Sequence, residues 1–116
     1  MKKTLLIDID GCIVKHHGNL STQILTPVEL LPGALEKLNG WDAAGHKIIL
    51  LTGRRESMRK LTEEQLQGLG VFYDQLVMGA ARGERVIIND LKSGNDTPTA
   101  SAICIKRNVG LKDVTL

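Results

Sequence analysis

An α/β fold built on a parallel sheet is predicted by three features of the chain. Short, almost uninterrupted aliphatic runs recur along its 116 residues, helical periodicities separate them, and polar residues gather where the runs end. Continuous apolar runs are what strands covered on both faces require. Their alternation with helical segments selects a parallel arrangement.

The first run covers residues 4–9 and ends in the acid residues Asp8 and Asp10. A helix follows from Pro32, with Leu35, Leu38 and Trp41 at helical spacing and Gly45 as a left-handed stop. Residues 47–52 form the second run, closed by Thr52-Gly53-Arg54. A second helix over about 56–69 turns Met58, Leu61, Leu66 and Leu69 inward and stops at Gly70. Residues 75–78 suit a short strand, residues 85–88 a further one ending in Asn89-Asp90, and residues 102–105 a last. The link at 79–84 is short, because a parallel crossover normally takes about a dozen residues. Either the 75–78 strand is vestigial or an extended loop crosses the sheet without a helix.

Composition narrows the function. A chain of 116 residues with 42% hydrophobic and 24% charged residues reads as one globular domain, residues 1–116. The only aromatics are Trp41, Phe72 and Tyr73, so the core must be aliphatic. A net charge of +2 lacks the strong positive field of a nucleic-acid binder, and three aromatics cannot build a base-stacking platform. Nucleic acid is therefore not the expected partner. Cys12 and Cys104 lie far apart without a C-x-x-C pair, which fits a reduced, cytoplasmic setting. No apolar run approaches the roughly 20 residues that span a bilayer.

The polar strand ends carry the chemistry. Asp8-Ile9-Asp10-Gly11 fails as a calcium loop, since Cys12 and Asn19 fall where oxygen ligands belong. Two carboxylates then end a buried strand, an expensive place for charge unless a cation or a proton-transfer role compensates. Thr52-Gly53-Arg54 reads equally as an ordinary turn with a solvated Arg54, or as a hydroxyl and free N–H groups that grip a phosphate. Asp90 is expected in the same crevice as Asp8 and Asp10. Three converging carboxylates would repel one another, and Mg²⁺ resolves that repulsion. His16-His17 read as a solvated hairpin, and Cys12 as a small buried residue. Neither a P-loop nor a G-x-G-x-x-G is present.

These residues resemble the haloacid dehalogenase superfamily of phosphohydrolases. Asp8 to Gly11 match its D-x-D-G opening, with Cys12 where Thr or Val is usual; Thr52 matches the strand-ending Thr, and Asp90 the later acid. Pro32-Gly33-Ala34, Gly45-His46-Lys47, Thr52-Gly53-Arg54-Arg55 and Ile88-Asn89-Asp90 further resemble small bacterial members linked to carbohydrate biosynthesis.

The resemblance implies a Rossmann-like, capless fold and a Mg²⁺-dependent phosphatase acting on a phosphorylated sugar or related metabolite. Asp8 would attack phosphorus and Asp10 would transfer protons. Asp8, the Asp10 main-chain carbonyl and Asp90 would hold the metal, while Thr52 and Gly53 would hold phosphate oxygens. The usual bracing Lys is missing. Arg82 and Lys92 are the candidates to replace it, and Arg85, starting a strand, is expected at the opposite edge. With no cap, residues 13–31 would form a hairpin flap and a homo-oligomer would help cover the site. Three other readings compete. A receiver-type phosphoacceptor has its acids and Thr in a different order, a silent phosphate-binding module would show no turnover, and a phosphatase of macromolecular ends would use the open crevice.

Overall fold

Strands β1 (Thr4–Asp8), β2 (Lys47–Leu51) and β3 (Gln75–Val77) pair in parallel in the order β1-β2-β3. They are seen in a computed structural model that describes residues 1–94 and 96–116. Thr4 sits opposite Lys47 and Asp8 opposite Leu51, while Ile49 pairs with Gln75 and Leu51 with Val77. This register brings Asp8 and the Thr52 turn to the same edge of the sheet, the edge where open α/β sheets bind ligands.

Helix α1 (Leu20–Leu25) lies between β1 and α2 (Ala34–Ala43), and α3 (Arg59–Gly68) follows a 3₁₀ turn at Glu56–Met58. Both predicted helices form, and Gly45 and Gly70 end them in left-handed backbone with φ of 88° and 76°. The expected hairpin flap is closed at its base by an antiparallel bridge between Val14 and Leu30. Its far side folds into α1, where Asn19 caps the helix by accepting from Thr22 N at 2.9 Å.

The core is aliphatic, as the composition requires. Ile9, Ile13, Leu38, Ile48, Leu50 and Leu66 are almost completely buried, and Trp41 packs against their cluster. Burying each such side chain contributes about 1.5–3 kcal/mol.

The sheet stops at three strands among the described residues. Residues 85–88 and 102–105 are irregular rather than extended into the sheet. The short link at 79–84 explains the first, since it cannot carry the chain back for a parallel pairing. Val86, Ile87 and Ile88 stand exposed as a result, and Leu6 on β1 is 49% exposed. The expectation that every strand is covered on both faces therefore fails at β1, whose residues alternate between exposed and half-buried.

The segment after residue 104 returns to the body of the protein. Leu111 is buried, and the N–H groups of Leu111 and Lys112 both donate to Pro32 O, at 2.9 and 3.2 Å. Gly110 makes this docking feasible. Its φ is 91°, and a Cβ there would lie 2.3 Å from Pro32 O.

Candidate active site

Asp8 projects from the end of β1, and a tight loop turns immediately behind it. Ile13 N and Val14 N both donate to Ile9 O, and Gly11 N donates to Val14 O at 2.7 Å. Asp8 Oδ1 accepts from Ile9 N at 2.9 Å, and its second carboxylate oxygen has no hydrogen-bond partner among the described residues. The residue is exposed at its rim, yet surrounding atoms strip enough water from the carboxyl to raise its pKa above the usual carboxylate value. Repulsion from Asp10 adds to the rise, while Arg85 and His16 oppose it.

Asp10 is held quite differently. Arg54 grips it with two hydrogen bonds, Nε to Oδ2 at 2.9 Å and Nη2 to Oδ1 at 2.8 Å. Gln23 Nε2 adds a third at 2.7 Å to Oδ1. Arg54 is 4% exposed, and its Nη1 donates to Thr62 Oγ1 and Gln65 Oε1 on α3. Gln23, also buried, spends its amide on Lys15 O as well and accepts from His17 N. The Arg54, Asp10 and Gln23 side chains are all paired, which is the condition for burying them without large cost. Nε2 of the adjoining His17, by contrast, is buried without a partner among the described residues. Both Asp10 oxygens are engaged, but Oδ2 takes only one bond and keeps a lone pair for a proton.

Arg54 is thus neither solvated nor turned toward a phosphate. Its guanidinium is consumed by Asp10 and α3, so it positions the second carboxylate instead. The turn around it still presents one anion-binding group at the surface and keeps a hydroxyl beneath it. Thr52 is 1% exposed, and its Oγ1 accepts from Arg54 N at 3.1 Å, leaving the hydroxyl hydrogen to donate elsewhere. Gly53 is exposed, and its N–H has no partner among the described residues. A Cβ at Gly53 would lie 3.5 Å from Ala80 O, so the loop after β3 borders this surface.

The remaining candidates, Asp90, Lys92 and Arg82, are exposed in the irregular segment after β3. Among the described residues no group of three His, Cys, Asp or Glu side chains is arranged around one metal position. Asp90 therefore does not join Asp8 and Asp10, because the strand expected to deliver it does not form. Arg85, expected at the opposite edge, is instead close enough to pull on the Asp8 carboxylate. Its Nη1 donates to the Ala81 and Gly83 carbonyls and ties down the loop after β3.

The donor set still fits a hard divalent cation in part. Asp8 offers an unpartnered carboxylate oxygen whose charge the protein leaves poorly compensated, and the adjacent Asp10 carbonyl bonds to no described residue. Mg²⁺ commonly takes only one or two carboxylates and fills its other positions with phosphate and water.

Two surface grooves of about 530 and 540 Å³ occur elsewhere, one at the flap base beside Pro32 and one beside Tyr73. Neither is lined by Asp8, which is exposed, or by Asp10, which is half-buried.

No protein-family model matches the chain, and no curated protein does. Among solved structures it is similar to a chain of a Pnkp1/Rnl/Hen1 complex, with 29% identity and a TM-score of 0.58 over 74% of this chain. A chain of the Pnkp1/Rnl/Hen1 RNA repair complex matches at 28% identity and a TM-score of 0.57 over 72% of this chain. The matches cover 31% and 28% of those chains, so this protein corresponds to less than a third of either. A Vibrio cholerae protein shares the fold at 22% identity and a TM-score of 0.53, over 78% of this chain and 80% of that one. No helix among the described residues is long and apolar enough to cross a membrane.

Sequence reasoning missed Gln23, Thr62 and Gln65. The last two had a faint signal, since a spacing of three puts them on one face of α3. Cys12, read as a small buried residue, is half-buried, and burial beside Asp8 pushes its thiol pKa up to about 11. The thiolate is the reactive form, so Cys12 should react slowly with iodoacetamide at pH 8 while exposed Cys104 is labelled first. Peptide mapping after brief labelling checks this, and preferential modification of Cys12 would contradict it.

Proposed function

We propose that this chain is a Mg²⁺-dependent phosphomonoester hydrolase of haloacid dehalogenase type, acting through an aspartyl-phosphate. The observation that carries the reading is the contrast between two neighbouring carboxylates. Asp8 keeps an oxygen free and faces solvent, as a nucleophile must, whereas Asp10 is locked in orientation by Arg54 and Gln23.

In this reading an Asp8 oxygen attacks phosphorus and the bond to the leaving oxygen breaks. The Gly53 N–H and the Thr52 hydroxyl hydrogen bind the non-bridging oxygens. The free lone pair of Asp10 Oδ2 relays a proton carried in by the monoanionic phosphomonoester to the leaving oxygen. Asp10 then takes a proton from the water that hydrolyses the acyl phosphate and passes it to the released phosphate, so protons balance over the cycle. Arg85 supplies positive charge beside the nucleophile. Mg²⁺, held by Asp8 and the Asp10 carbonyl, would neutralise negative charge on the phosphoryl group.

The phosphorylated metabolite implied by the sequence remains one substrate class. A phosphate at a nucleic-acid end is the second, supported by the exposure of Asp8 and by the likeness to a chain of an RNA repair complex. Release of phosphate from p-nitrophenyl phosphate by the full chain, dependent on Mg²⁺ and abolished by chelation, is the expected result. Comparison of sugar phosphates with 3′- and 5′-phosphorylated oligonucleotides then identifies the class. No release from any of these at saturating Mg²⁺ would sink the proposal.

A further inference from the structure

Beside the acid pair lies a cation that neither the strand ends nor the polar network uses. Residues 106–109 form a turn, closed by Val109 N donating to Lys106 O at 3.3 Å, in which Asn108 adopts a left-handed φ of 67°. Asn108 is pinned to the nucleophile loop by three hydrogen bonds. Its N–H donates to Gly11 O at 2.9 Å, its Oδ1 accepts from His16 N at 2.7 Å, and its Nδ2 donates to His16 O at 3.2 Å. The arm is anchored again at Leu111 and Pro32, so its position is fixed from both sides.

The residue carried over the loop by this turn is Arg107. Its stem covers Gly11, where a Cβ would lie 3.2 Å from Arg107 Cγ. The guanidinium is exposed and has no partner among the described residues. The neighbouring arginines differ, because Arg54 is spent on Asp10 and α3 and Arg85 on loop carbonyls. Arg85 and His16 act on the Asp8 charge, whereas no pull from Arg107 is resolved there. Arg107 thus stands over the nucleophile loop at Gly11, with a fixed stem and a free planar fork suited to carboxylate or phosphate oxygens.

We propose that Arg107 is a specificity residue that binds a second anionic group of a phosphomonoester held at Asp8. This rests on the phosphohydrolase reading of the site. The shared chemistry is one extra anion near the phosphomonoester, whether the next phosphodiester of a polynucleotide or the carboxylate of a small acid.

Two matched pairs of ligands test the inference by calorimetric titration with Mg²⁺, in the full-length Asp8→Asn protein to prevent turnover. One pair is 3-phosphoglycerate against glycerol 3-phosphate. The other is a 3′-phosphorylated dinucleotide against a nucleoside 3′-phosphate. In at least one pair the member with the extra anion should bind about ten- to a hundredfold more tightly, the range of a hydrogen-bonded charge. Which pair discriminates identifies the source of the anion.

Adding Arg107→Gln, which keeps the stem over Gly11, should remove the preference, and Arg107→Lys should restore part of it. No preference in either pair, whether through equal affinity or no binding, overturns the inference, as does a preference that survives Arg107→Gln. A wild-type protein that hydrolyses none of the four ligands, while Asp8→Asn still discriminates through Arg107, would refute the phosphohydrolase reading and leave the anion site standing.

Discussion

Replacing Arg54 by methionine is expected to destabilise the protein by about 3–5 kcal/mol, the usual cost of removing one partner from a buried ion pair. The guanidinium side chain is 3% exposed and the Asp10 side chain 16%, so water cannot replace the lost contacts. Asp10 would keep only Gln23 as a partner, and Thr62 and Gln65 would each lose a bond from Arg54 Nη1. Such a loss is a large share of the roughly 5–15 kcal/mol that holds a small domain together.

Denaturant midpoints, with the slope checked for constancy, measure the effect. The double variant Arg54→Met, Asp10→Leu should recover much of the stability, because it removes the orphaned charge along with its partner. A single variant within about 0.5 kcal/mol of wild type, the range of ordinary surface changes, would mean that the pair is not the buried structural unit described. Lysine should not rescue, since a point charge cannot reproduce the two-pronged grip on Asp10.

The same arginine marks how far the sequence could be read. The aliphatic runs placed β1 and β2, and their ends put Asp8 and Thr52 on one edge of the sheet. Glycine stops and helical spacing placed α2 and α3. These are local signals, and local signals suffice where each element is short and strongly patterned. What Arg54 touches was not local. Its bond to Thr62 depends on how α3 packs against the β2 turn, and periodicity does not encode that contact.

The segment 85–88 failed for the opposite reason. Its composition is that of a strand, but pairing requires a connection long enough to bring it alongside, and residues 79–84 do not supply one. Arg85 and Asp90 consequently moved from their expected positions together. The turn over the acid loop did leave a trace, since Asn108 and Gly110 are residue types that tolerate left-handed backbone. That trace revealed a turn, but not the contact of Arg107 with Gly11.

Asp8→Asn is expected to abolish turnover and at the same time to stabilise the protein at neutral pH. An amide is a poor nucleophile, so no aspartyl-phosphate should form. The stability effect follows from the raised pKa of Asp8, caused first by desolvation and then by repulsion from Asp10. An acid whose pKa is higher folded than unfolded binds its proton more tightly in the native state. Its contribution to stability is therefore full below the unfolded value of about 3.9 and is lost as pH rises through the folded value. At pH 7 the ionised carboxylate is a burden that asparagine does not carry. Thermal unfolding in the presence of a chelator should place Asp8→Asn above wild type at pH 7, with the two converging as pH falls below about 4. Adding Mg²⁺ should raise the wild-type melting temperature and narrow the gap, because a ligand bound only to the native state stabilises it by mass action. An Asp8→Asn protein that melts below wild type at pH 7 would show that the carboxylate is compensated by its surroundings, and the case for a cation beside it would fail.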